Sequence, residues 1–206
     1  MYRKLIANLK CLPGWHSRRK YIAFAVDDYG SVRLASRQAR EHLAARIPGF
    51  GGQMDEFDSV ETRSDLEDLF DTLARHGDAN GRKAVFTTYC LPANPSFEFM
   101  RKERVYGYET VKETFDRLCA EDPGAYEGTW IVWQQGMAQG LVRPQYHGRE
   151  HFSVPLIEWK LRRASPDLEA NLEVESMAGL SNISQMPGVG FTHAFGLHDL
   201  SLLDQQ

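Results

Sequence analysis

One short apolar run, Tyr21-Ile-Ala-Phe-Ala-Val26, followed at once by Asp27-Asp28-Tyr29-Gly30, constrains this chain more than any other feature. A continuous apolar stretch of six residues, with no polar alternation, is expected to form a parallel strand buried on both faces. A helix is expected from about residue 32 to residue 47, stopped by Pro48-Gly49. A loop carrying Gly49, Gly51 and Gly52 leads to a second helix, opened by Ser64-Asp-Leu-Glu67 at capping-box spacing. Leu66, Leu69, Phe70, Leu73 and Ala74 then recur with helical period as one buried stripe, and Gly77 stands where a C-terminal cap belongs.

The alternation continues. Lys83-Ala-Val-Phe-Thr-Thr-Tyr89 reads as a second strand, followed by a long connection bearing Pro and Asn. Thr110-Val-Lys-Glu113 is another capping box, with Val111, Phe115, Leu118 and Cys119 lining the helix that Asp122-Pro123-Gly124 breaks. Trp130, Trp133, Met137 and Leu141 fall at near-helical spacing and read as core. Leu141-Val-Arg-Pro-Gln-Tyr146 is a third strand, placed near an edge by Pro144. A helix is expected from about 155 to 164, and the residues after 165 show little periodicity. Strands separated by helices imply an α/β fold with parallel strands. In such folds functional groups collect beyond the carboxyl ends of the strands.

Composition limits what this architecture serves. The 206 residues can bury one substantial core, and 42% hydrophobic with 25% charged residues is ordinary for a globular protein. No run approaches the roughly 18 apolar residues of a membrane span. The N-terminus lacks a secretory apolar region and cleavage site, so cytoplasmic residence is expected. Three scattered cysteines, Cys11, Cys90 and Cys119, form no Cys-x-x-Cys pair and read as buried thiols. The net charge of −4 hides an asymmetry: residues 1–20 carry six Lys/Arg and no acid, while residues 53–78 carry nine acids against Arg63 and Arg75. We read residues 1–19 as a basic, solvated arm and residues 20–206 as the α/β domain. A largely acidic body repels phosphate backbones, so a nucleic-acid partner is not expected. The acids of 53–78 belong mainly to the outer face of the second helix.

Two polar constellations lie just after expected strands. Asp27 and Asp28 are costly to bury without a partner. A cation would offset one carboxylate and leave the other to accept a proton, although helix capping by Asp27 and solvation of Asp28 would also explain them. His147 and His151, four residues apart in His147-Gly-Arg-Glu-His151, can reach a single ion. With Asp28 they make a set of two histidines and one carboxylate with open positions, as a catalytic metal site requires.

Phe24-Ala-Val-Asp-Asp-Tyr-Gly30 and His147-Gly-Arg-Glu-His151 resemble the first two motifs of the NodB-like polysaccharide deacetylases. The resemblance spans roughly residues 20–160, and the longer strings around both motifs look like an intracellular branch of that family. It implies Asp27 as general base, with Asp28, His147 and His151 holding a divalent metal, usually zinc. It also implies a distorted (β/α) barrel and removal of acetyl groups from N-acetylated carbohydrate. Tyr29 intervenes before the glycine of the first motif. Gly148 stands where the family carries a hydroxyl residue, so that loop needs another brace. The family's later motifs have no counterpart, His193 and His198 being the only late histidines, so either the barrel is incomplete toward the C-terminus or its C-terminal part has diverged.

Two other functions compete. His147-Gly-Arg-Glu-His151 also fits the inverzincin protease pattern His-x-x-Glu-His with Glu150 as base, provided the motif is helical; Pro144, Gly148 and Pro155 argue against that. A domain of this fold that binds carbohydrate or a partner without turnover is the other, with Tyr29, Tyr146 and Trp159 available to stack on sugar faces.

Overall fold

The structure is a computed structural model that describes residues 20–52 and 58–180, together with Ile6, Leu9, Pro13, Gly14, Ser17 and Arg18. Most of the basic arm, Cys11, His193 and His198 therefore lie outside the described residues. The chain alternates strands and helices as expected. Strand β1 spans Phe24–Tyr29, helix α1 Arg37–Arg46, helix α2 Arg63–Arg75 and strand β2 Phe86–Cys90. Strands β3 (Ala93–Pro95) and β4 (Tyr108–Thr110) form an antiparallel pair around helix α3, Phe97–Glu103. Helices α4 (Val111–Glu121), α5 (Pro123–Tyr126) and α6 (Thr129–Ala138) lead to strand β5, Val142–Tyr146. Helices α7 (Val154–Arg162) and α8 (Pro166–Glu173) follow.

The main sheet is parallel with order β1-β2-β5. It is mixed α/β architecture without a closed barrel among the described residues: three strands leave β1 and β5 as edges, whereas closure requires every edge to be paired. An aromatic chain ties the sheet to its helices. Phe24 stacks on Phe86 (6.3 Å), Tyr29 meets Phe86 and Trp133 edge-on (6.1 and 5.8 Å), and Trp133 meets Phe70 of α2 (6.4 Å). Phe70, Phe86 and Trp133 share the principal core with Leu66, Leu73, Phe115, Leu141 and Val142.

Several expectations require correction, each for a physical reason. The opening strand is parallel but not buried: Ile22, Phe24 and Val26 are 83%, 56% and 40% exposed, because side chains leave a sheet from its faces and the described helices leave these positions uncovered. A continuous apolar run reports only that a strand tolerates burial, not that a layer covers both of its faces. Nor does β1 stop before the acids; it runs through them to Tyr29. The first helix begins at Arg37, not 32. Residues 32–35 stay outside it because their N–H groups are taken elsewhere, Val32 donating to Asn94 Oδ1, Leu34 to the Asp58 carbonyl and Ala35 to Ser176 Oγ. Helix α2 is capped by Thr62 with Asp65 at N3, two residues earlier than the Ser64 box, and ends at His76 in extended backbone rather than at a left-handed Gly77. The Thr110–Glu113 box opens α4 as expected.

Helix α8, in a stretch of little periodicity, starts with Pro166 at its first position and buries Leu168, Ala170 and Leu172. Its Asp167 pairs with Lys160 of α7, which is fully buried. Cys90 and Cys119 are free thiols, each half-buried. No helix among the described residues is long and apolar enough to cross a membrane.

Candidate metal centre

The first constellation is shaped by an irregularity in β1. Val26 pairs with Thr88 and Tyr29 with Cys90, so three steps of β1 match two of β2. Asp27 and Asp28 therefore share the place opposite Tyr89, a β-bulge of the kind that re-aims side chains at functional sites. Asp28 takes the left-handed conformation, φ 64°, which Asp tolerates better than most residues yet still costs on the order of 1 kcal/mol.

Surrounding groups hold that conformation. Ser31 N–H donates to the Asp28 carbonyl at 3.2 Å and Leu91 N–H to the Tyr29 carbonyl at 3.0 Å. Buried Asn94 donates to the Gly30 carbonyl (2.7 Å) and accepts from Val32 N–H (2.8 Å). Glu61 accepts from Gly30 N–H (3.1 Å) and from Trp133 Nε1–H (2.8 Å). Burial pushes the Glu61 carboxyl above the ordinary glutamate range, against the lowering pull of its N–H donors. Gly30 is required here: φ is +84°, and a Cβ would stand 3.0 Å from Val111 Cγ2 and 3.1 Å from the Leu91 carbonyl.

The second constellation leaves β5 at Tyr146 and runs as irregular loop until α7. His147 N–H donates to the Cys90 carbonyl (3.1 Å), continuing the β2–β5 ladder by one residue, and its ring lies 5.7 Å from that of Tyr89. Gly148 follows in left-handed backbone, φ 96°. The brace that this loop needs comes from Arg149. Its guanidinium grips Glu150 with bonds of 2.5 and 2.6 Å and lies over the Tyr108 ring at 4.7 Å, while its carbonyl accepts from Ala93 N–H. Those bonds to Glu150, with its charge, hold the Arg149 guanidinium firmly protonated. Burial, reinforced by the Glu150 charge, pushes the Tyr106 hydroxyl far above the usual tyrosine range.

The two constellations converge. His151 Nδ1 lies 3.2 Å and His147 Nε2 3.8 Å from Asp28 Oδ1, and the imidazole centroids are 5.2 Å apart. One donor atom from each of Asp28, His147 and His151 lies within 4.8 Å of the other two, a group that could hold a metal ion. Ligand bonds of about 2.1 Å in tetrahedral geometry imply donor separations of about 3.4 Å, close to the carboxylate–imidazole distances found. The fit has a second sign. Asp28 Oδ1 is buried yet makes no hydrogen bond, an expensive condition for a carboxylate oxygen that a shared cation relieves.

The other candidates fare differently. Asp27 stands beside Asp28 at the bulge, exposed and outside the ligating trio. Glu150 is 5% exposed and engaged by Arg149, and its motif forms no helix, so the geometry of an inverzincin site is not built. Tyr29 packs inward on Phe86 and Trp133 and is no sugar platform. Trp159 is half-buried under Arg163, whereas Tyr146, next to His147, is 71% exposed. Asn94 and Glu61 carry no signal that sequence reasoning could use. Asn94 lies in a connection that reads as loop, and Glu61 precedes a helix whose acids Asp65, Glu67, Asp68 and Asp71 all face outward.

Comparison with family models, curated proteins and solved structures gives no match. Function is therefore read from the side chains themselves.

Proposed function

We propose that this chain is a metal-dependent hydrolase that removes acetyl groups from N-acetylated carbohydrate. The observation that carries this reading is the buried, hydrogen-bond-free Asp28 oxygen flanked by His147 and His151. Asp28, His147 and His151 would hold the ion, zinc being the metal best suited to two histidines and a carboxylate. Such an ion supplies Lewis-acid polarisation of an acyl carbonyl and lowers the pKa of water.

The chain's own groups do the rest. Asp27, one residue from a ligand and exposed, takes a proton from the attacking water as general base. Asp28 draws both imidazoles toward one carboxylate oxygen, and the Tyr89 ring packs against that of His147. The exposed ring of Tyr146 offers an apolar face on which a pyranose can lie. The barrel implied by the NodB-like motifs is part of the same proposal.

Elemental analysis of the purified chain, paired with acetate release from N-acetylated oligosaccharides, tests it. One equivalent of divalent metal and released acetate are expected. Metal and sugar binding without acetate release would instead assign a non-catalytic binding domain, and a metal-free chain would overturn both.

A further inference from the structure

Glu61 is 31 residues from Gly30 in sequence, yet it meets the metal-binding loop directly. Its two carboxylate oxygens are each committed: Oε2 to Gly30 N–H, Oε1 to Trp133 Nε1–H. Gly30 is two residues past Asp28 and lies in the turn whose Ser31 N–H returns to the Asp28 carbonyl. Trp133 is 5% exposed and belongs to the aromatic chain that joins α6 to β1 and α2. Glu61 thus bridges a strained backbone to the packed core. It does not share the metal's cavity: it lines an apolar one of about 150 Å³ behind the turn, with Tyr29, Cys90, Val111 and Trp130, whereas Asp28 and His151 line a different one.

We propose that Glu61 is a positioning residue of the metal centre, holding Asp28 in its left-handed conformation through Gly30 so that the carboxylate meets both imidazoles. This rests on the reading of Asp28, His147 and His151 as ligands. Only a group with two acceptor atoms can serve both N–H donors from these positions. Glutamine has the same shape but one acceptor atom, so Glu61→Gln sets an amide nitrogen against either the Gly30 or the Trp133 N–H, leaving a donor unpaired. Removing the indole N–H by Trp133→Phe abolishes that conflict, and the glutamine oxygen can then turn to Gly30.

The experiment is a cycle of Co2+ titrations, read by affinity and by the visible absorption band, on the full chain and three variants. Far-UV CD and thermal unfolding in chelator report the metal-free fold. Glu61→Gln should weaken Co2+ binding about tenfold and alter the band, the low end of what outer-shell partners contribute. Trp133→Phe should bind nearly as the parent does, and Glu61→Gln/Trp133→Phe should match Trp133→Phe, a non-additive rescue that loss of packing would not give. If Glu61→Gln alone does not fold, Glu61→Ala/Trp133→Phe replaces it and should fall about tenfold below the Gln/Phe double. Equal affinity and identical bands across all forms that bind Co2+ would overturn the positioning role. A parent chain that binds no Co2+, or an Asp28→Ala variant that binds it equally well, would overturn the ligand assignment instead.

Discussion

The two halves of the candidate metal centre are held differently. The aspartate half is fixed by hydrogen bonds from buried or half-buried side chains, with Asn94 and Glu61 gripping both sides of the Gly30 turn, and the Asp28 side chain is 23% exposed. The histidine half sits on irregular loop, braced by the Arg149–Glu150 ion pair, by Arg149 over the Tyr106 and Tyr108 rings and by backbone hydrogen bonds to Cys90 and Ala93, and its imidazoles are 31% and 41% exposed. A carboxylate set by a braced backbone and two more exposed imidazoles would divide the labour of holding an ion. On the proposed reading, the first would fix where an ion sits and the second would complete its coordination.

The sharpest way to break this contrast is Asp28→Ala. It should bring bound metal from one equivalent to background, while His147→Ala and His151→Ala should each retain weak binding through the remaining pair; metal analysis after dialysis distinguishes them. Equal losses in all three would make the halves equivalent. Next in size, Asp27→Asn should keep its metal and lose about 10²–10⁴-fold in acetate release, measured at saturating ion. A variant that keeps full rate would remove Asp27 from the chemistry.

Arg149→Gln probes the histidine half. It leaves Glu150 buried without its partner and should destabilise the chain by about 2 kcal/mol, moderated by the partial exposure of the guanidinium; urea unfolding reads it. Gly30→Ala probes the aspartate half, with a cost of about 1–2 kcal/mol from positive φ and contact with Val111, accompanied by weaker metal binding. Smallest is Glu113→Gln, which lies in neither half. The Thr110 N–H and hydroxyl hold the Glu113 carboxyl below its ordinary range. Its contribution is complete above the usual glutamate pKa and disappears as pH falls through the depressed value. The variant should therefore lose that part of the acid-unfolding profile and leave metal binding unchanged.

How much of this was legible in the sequence follows from the range of each interaction. Capping at Thr110 and most of the α2 stripe are local, encoded within a few residues: Leu66, Phe70 and Leu73 are buried where expected, while Leu69 is half-buried and Ala74 at the helix end is exposed. The convergence of Asp28 with His147 and His151 was legible because both motifs close strands that flank β2 in one parallel sheet, so topology sets their meeting place. What failed was non-local. The exposure of Phe24 depends on what covers its face of the sheet, and the late start of α1 depends on Asn94 and Ser176, 62 and 141 residues away from the N–H groups they accept from. No window of sequence contains those partners. Glu61 is the clearest case: its neighbours Asp65 and Glu67 face solvent, and only the fold singles it out.

The extra residue in β1 has an arithmetical consequence. A pleated strand sends consecutive side chains to opposite sides, so two adjacent acids cannot ordinarily serve one site. By setting two residues, Asp27 and Asp28, against Tyr89 alone, β1 breaks that alternation at the two acids. Shortening the strand by one residue upstream would leave the bulge intact, whereas removing one within it would restore the pleat and dissolve the pair. On the proposed reading, the division between base and ligand rests on chain length as much as on side-chain chemistry.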